Sequence, residues 1–195
     1  MAQANLAAGP DGNAGTSAGI LAFDRWLKGP VMRWVAAPFQ LALRLWIFFY
    51  LPFINSGLTK WETFPFLKPE TWAWNGWPVV SASAKYQFSN SCDFCFNIRI
   101  WGSEQAPLVQ WVFPFPDTMA ALAGLGEIIL PALILVGLLT RLSALGLLGM
   151  TLVIQLVIPT GLPVHATWAA AFVGVILLGP GLISLDHLIS RLFRR

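Results

Sequence analysis

Charge is what this sequence has least of. Asp, Glu, Lys and Arg make up 11% of it, against about 25% in soluble globular domains. Hydrophobic residues make up 56%, which excludes an ordinary water-soluble domain and points to a helical membrane protein with several spans. The net charge of +3 is too small for a nucleic-acid footprint. Its basic residues sit beside apolar runs, where they act as topology determinants. Cysteine is nearly absent too. Cys92 and Cys95 are the only two, so the chain alone supplies neither a four-cysteine zinc site nor a second thiol pair for an inward electron relay. Phosphate-binding loops, dinucleotide fingerprints, haem-attachment motifs and zincin motifs are missing, and nothing builds a soluble cofactor domain. The stretch Met1 to Ser17 lacks the basic start and apolar core of a cleavable signal. Residues 1–19 therefore read as a disordered tail, with the first apolar helix expected to act as an uncleaved insertion signal.

What is present is long apolar sequence with few interruptions. Residues 20–34 mix Leu21, Phe23, Trp26, Leu27 and Trp34 with Asp24, Arg25, Lys28 and Arg33 at helical spacing. That pattern fits an interfacial helix on the membrane surface, broken at Gly29-Pro30. A first span is expected from Pro38 to about Trp61, with Arg44 near its start and Lys60 at its far end. Pro52 should kink its middle by freeing the Phe48 carbonyl. Residues 62–117 hold six prolines and both cysteines and cannot span. They read as a long outer loop in which 79–86 and 97–101 are candidate short strands. Three more spans follow at about 118–139, 142–158 and 166–183, joined by short turns. The expected fold is all-α, with four transmembrane helices in an up-down bundle. Ala166, Ala170 and Gly174 form a stripe of small residues that would let the fourth helix approach a neighbour. Ser184 looks like the cap of a basic juxtamembrane helix over residues 184–195.

Orientation follows the basic residues. One end of the bundle collects Arg25, Lys28, Arg33, Arg141, Arg191, Arg194 and Arg195, which predicts cytoplasmic termini and puts residues 62–117 outside. In a bacterium this is an inner-membrane protein with a periplasmic loop.

Several blocks resemble the DoxX family of four-helix membrane proteins. They are Arg44-Leu45-Trp46 with Ser56-Gly57-Leu58-Thr59-Lys60; Gly126-Glu127-Ile128, Pro131 and Gly137-Leu138-Leu139-Thr140-Arg141; Met150-Thr151 with Gln155; His165-Ala166-Thr167-Trp168; and Gly179 to Asp186. The resemblance does not reach residues 1–35 or most of 62–117. It implies a four-helix bundle, and less about function than about architecture, since many members have no known activity. Some relatives resemble the membrane subunit of thiosulfate:quinone oxidoreductases, others look like partners in redox-defence assemblies, and others sit beside genes for copper-handling peptides. A quinone is thus the implied cofactor. The implied partners are the bilayer and either a protein of a membrane complex or a second copy.

Glu127 is the leading candidate for chemistry. It lies deep in an apolar stretch, where a carboxyl is costly and marks a functional site by default. One reading makes it a proton relay or quinone partner; the other pairs it with Arg44 to hold the first two spans together. Counted from the cytoplasmic ends, Arg44 lies about 9 Å in and Glu127 about 18 Å, a gap two long side chains can bridge. Arg44 can equally snorkel to the headgroups. Ser143, Thr151 and Gln155 share one face of the third span, as partners of Glu127, as a ligand's contacts or as polar glue between helices. His165 is a candidate proton acceptor, metal ligand or interfacial histidine, and Lys60 joins the ligand-binding candidates. Cys92 and Cys95 are read as a structural disulfide, a redox-active pair or part of a metal site. The chain reads as a redox-assembly membrane subunit or as a non-catalytic anchor for a periplasmic or metalloprotein partner, copper handling included.

Overall fold

The structure, a computed structural model, describes residues 29–63, 78–89, 97–102 and 107–193. The readings for residues 1–28, and those for Cys92 and Cys95, fall outside the described residues.

Helix α1 covers Pro30–Tyr50. It opens at Pro30, after an extended Gly29, and runs on through Pro38, where the span was expected to begin. Pro30 stands in the first turn, where a missing N–H costs nothing, and Pro38 is carried inside the helix on an exposed face. At the other end Pro52 does more than kink. The residue before a proline is pushed out of the helical region, and Leu51 is extended with ψ 146°. The chain then restarts as α2 (Phe53–Thr59), a separate short helix that delivers Lys60 as its C-cap.

Part of the long loop is ordered against the bundle. Strands β1 (Trp61–Thr63) and β2 (Val79–Val80) pair antiparallel, with Trp61 opposite Val80. The rest of the 79–86 candidate strand is helix α3 (Ala82–Phe88). Ser81 caps it by accepting from the Ala84 N–H, a local bond that competes successfully with strand pairing. Strands β3 (Asn97–Gly102) and β4 (Pro107–Val112) form an antiparallel hairpin with Asn97 opposite Val112.

The remaining long helices are α4 (Pro116–Val136), α5 (Thr140–Val157) and α6 (Leu162–Leu178), the last entered through a 3-10 turn at Pro159–Gly161. Among the described residues four segments are long and apolar enough to cross a membrane: Met32–Thr59, Pro116–Val136, Thr140–Val157 and Pro159–Leu178. They form a ring in which α1 packs on α4 and α6, and α5 packs on the same two. Ile47, Phe53, Ile134, Leu147, Phe172 and Val175 fill the middle. Phe53 meets the rings of Trp168 and Phe172 edge-on at 5.5 and 5.7 Å, an arrangement that suits aromatic quadrupoles. The outward faces carry exposed Trp34, Phe39, Leu122, Leu145, Leu152 and Leu177, as a lipid-facing surface should. Ala166 and Ala170 are exposed as well, so of the expected small-residue stripe Gly174 alone meets a neighbour, where a Cβ would stand 3.4 Å from Leu43 of α1. The buried face of α6 is instead His165, Ala171, Phe172 and Val175.

The tight α4–α5 turn is held from a distance. Gly137 ends α4 at φ 73° with its N–H on the Leu133 and Ile134 carbonyls, a left-handed cap that glycine adopts without a Cβ penalty. Leu139 is also left-handed, at φ 48°, which a branched side chain tolerates at a cost of about 1–2 kcal/mol. Asp186 holds it there: its carboxylate accepts from Leu139 N, Thr140 N and Thr140 Oγ1 at 2.8, 2.9 and 2.8 Å. That aspartate belongs to the final helix, α7 (Leu185–Leu192), which Ser184 caps.

Candidate functional site

Glu127 is 4% exposed and sits in the middle of α4. Its partner is not Arg44. Lys60 Nζ lies 2.7 Å from Glu127 Oε2 and also donates to Ser56 Oγ at 2.9 Å. The expected Arg44 pairing fails because the two side chains sit at different depths. Counting from the inner ends compares only distances along α1 and α4, and misses that the break at Leu51-Pro52 brings a second cation to Glu127 from the loop end.

Arg44 is used otherwise. Nε donates to the Ile134 carbonyl at 2.8 Å and Nη2 to Leu135 at 2.6 Å, while Nη1 donates to Pro180 at 2.8 Å and Ile183 at 2.7 Å. At 3% exposure it does not snorkel to the surface. It satisfies the carbonyls that end α4 and those of the segment between α6 and α7, groups that a helix end otherwise leaves orphaned.

Two glycines make the approach of α2 to α4 possible. A Cβ at Gly57 would stand 2.8 Å from Ile128 Cγ1 and 2.9 Å from Glu127 Cβ; one at Gly124 would stand 3.2 Å from Lys60 Cβ. Gly57→Ala is therefore expected to destabilise the protein by about 1–3 kcal/mol through overpacking. Chemical denaturation in detergent would measure it, and an unchanged midpoint would refute the close packing.

Glu127 also lines a cavity of about 340 Å³ between α4 and α5. Phe88 of α3 and Phe113, just after β4, close it from the loop side; Met119, Ala123, Met150 and Ile154 supply its apolar walls. The exposed Leu122 and Gly149 line it too, so it opens sideways toward lipid. Among its lining residues Glu127 is the one ionisable group. An apolar cleft of this size with a single placed polar group is what a small hydrophobic ligand requires.

The other candidates lie elsewhere. Thr151 turns back on its own helix, donating to the Leu147 carbonyl at 2.9 Å, so it is neither interhelical glue nor a contact of Glu127. Gln155 donates through Nε2 to the Pro159 carbonyl at 2.9 Å, and its Oε1 lies 2.8 Å from His165 Nδ1. With the amide oriented this way His165 must donate from Nδ1, so in the neutral ring Nε2 is the acceptor. This pair ties α5 to α6 at the loop end. Among the described residues no three His, Cys, Asp or Glu side chains are grouped to hold a metal. The sequence reading missed the Lys60–Glu127 pair and the long-range role of Asp186. Gly57, three residues before Lys60, was the one local signal for the first.

A long lipid-facing bundle with, among the described residues, one buried ion pair beside an apolar cleft defines an integral membrane protein whose polar interior is small and specific. The DoxX family model matches residues 101–160, which include the whole of α4 and α5, Glu127 and every residue lining the cavity except Phe88. The match and the four spans are consistent with a DoxX family membrane protein. Neither the curated proteins nor the solved structures contain a match.

Proposed function

We propose that this chain is the membrane subunit of a quinone-linked redox assembly in a bacterial inner membrane, and that Glu127 handles protons at a quinone site between α4 and α5. One observation carries the reading: the buried carboxylate lines an apolar cavity that opens toward lipid, while its other contact is the ammonium of Lys60. The fit is favourable. The walls suit a flat apolar ring, Leu122 and Gly149 leave a lateral path for a lipid-soluble molecule, and Glu127 is the one group there able to exchange a proton with a ring hydroxyl. Lys60, itself steadied by donating to Ser56 Oγ, holds the carboxylate in place and compensates its charge while it is ionised. On oxidation of a bound quinol, both electrons would go to a redox partner protein of the assembly, and Glu127 would take the two ring protons one after the other, releasing the first toward solvent at the loop end before accepting the second. Arg33, Arg141 and Arg191 at one end support cytoplasmic termini.

Gly149 offers a test that spares the ion pair. No atom lies within 4 Å of a Cβ placed there, so Gly149→Leu should fill the cavity from its rim. It should also stabilise α5 by about 0.8–1 kcal/mol through helix propensity. Purified protein in nanodiscs is expected to show saturable tryptophan quenching by a short-chain quinone. Gly149→Leu should abolish that saturation while its melting temperature holds or rises. Glu127→Gln should remain in the membrane and lose quinol-linked electron flow by about a hundredfold, the scale of a general acid–base group. Unchanged saturation in Gly149→Leu would overturn the site.

A second reading has its own support. Lys60 is paired with both Ser56 and Glu127, as a purely structural tie would be. On that reading the chain is an anchor or assembly factor for a periplasmic or metalloprotein partner, including one that handles copper. Glu127→Gln would then deplete the protein from membranes rather than silence it.

A further inference from the structure

At the bundle end opposite the loop lies a second and larger cavity, a groove of about 870 Å³ between the start of α1, the start of α5, the segment after α6 and one face of α7. Its charged lining is Arg33, Arg141, Asp186 and His187. Asp186 is engaged by the two amides and the hydroxyl at the start of α5, so the helix terminus is already occupied and adds no anion site. The two arginines are different. Both are exposed, and among the described residues neither guanidinium has a hydrogen bond or ion pair.

The groove also has an apolar side. Leu142 and Leu178 line it and are 64% and 55% exposed. Helix α7 fixes the depth. Leu185, Leu188, Ile189 and Leu192 recur at helical spacing and are all exposed, while Asp186, His187 and Ser190 line the groove. A helix with one apolar and one polar face lies in the membrane interface, which places the groove at headgroup level.

We propose that this groove binds one anionic phospholipid, with Arg33 and Arg141 on its phosphodiester and its acyl chains along Leu142 and Leu178. Guanidinium groups suit phosphate by geometry as well as charge. A free phosphate would match the arginines and leave the exposed leucines unexplained; a lipid uses both.

Native mass spectrometry of the full chain, released from detergent after incubation with phosphatidylglycerol or phosphatidylcholine, reads the proposal directly. One phosphatidylglycerol should be retained in preference to phosphatidylcholine. Arg33→Gln with Arg141→Gln should weaken retention roughly thirtyfold, as expected for two basic contacts of about 1 kcal/mol each. Arg191→Gln, outside the groove, should retain the lipid. Three results would overturn the proposal: equal retention of the two lipids by the unmodified chain, the same loss in Arg191→Gln, or displacement by millimolar inorganic phosphate. The lipid comparison needs no substitution, so it stands even where the double variant folds poorly.

Discussion

Arg44→Ala should remove more stability than any other single change in this protein, on the order of 5 kcal/mol. The guanidinium makes four short bonds to main-chain carbonyls from two distant segments. A hydrogen bond to a charged group contributes about 1.5–3 kcal/mol, and a buried acceptor left unmade costs about as much. Their sum exceeds the expected loss because the cavity left by an alanine admits water to some of the carbonyls. Arg44→Lys is the sharper variant. An ammonium keeps the charge but has three donors at a single point, and cannot reach both Ile134 and Ile183. We expect about 2–3 kcal/mol lost, read from unfolding midpoints in mixed micelles. A lysine variant as stable as the parent would mean that charge alone, not the fork geometry, serves here.

The second large effect concerns Lys60 and Glu127, and its signature is non-additivity. Lys60→Met leaves a carboxylate stranded at 4% exposure, and breaking a buried pair by removing one partner typically costs 3–5 kcal/mol. Glu127→Met strands the ammonium, though Ser56 Oγ still accepts from it, so the loss should be the smaller of the two. The double substitution replaces a buried ion pair by apolar side chains and should recover most of the stability lost by either single change. A double-mutant cycle separates this from independent damage. Equal and additive losses would show that the two residues do not act as a pair. Recovered stability together with lost quinone saturation would separate holding the fold from working at the cavity.

Hydropathy and turn residues made the bundle legible before any coordinates. Gly137 and the apolar runs on either side of it define α4 and α5, because a span needs length and little else. The start of α1 was not legible. Pro30 and Pro38 both look like helix openings, and only the surroundings decide which proline is tolerated inside. Glu127 stood out because one acid in an apolar stretch is conspicuous. Its partner did not, since Lys60 reaches it through the backbone break at Leu51-Pro52 and through the room left by Gly57. Register along a chain says nothing about either. Arg44 stood out as a lone cation in an apolar run, but its partners are carbonyl oxygens, which carry no mark in a sequence. The cavity was out of reach for a related reason, as Phe88 and Phe113 come from the loop that follows no simple period.

Asp186 has a consequence for how the molecule is made. It steadies a turn 46 residues earlier in the chain, and Arg44 waits even longer for the carbonyls of Pro180 and Ile183, 136 and 139 positions on. During synthesis the second and third spans can enter the bilayer as a hairpin, but its connecting corner stays unfinished. Only when the last helix emerges do its amides find an acceptor. The clasp thus comes after all four of the described spans, and a nascent chain stalled short of Asp186 would carry them yet lack the contact that fixes their corner.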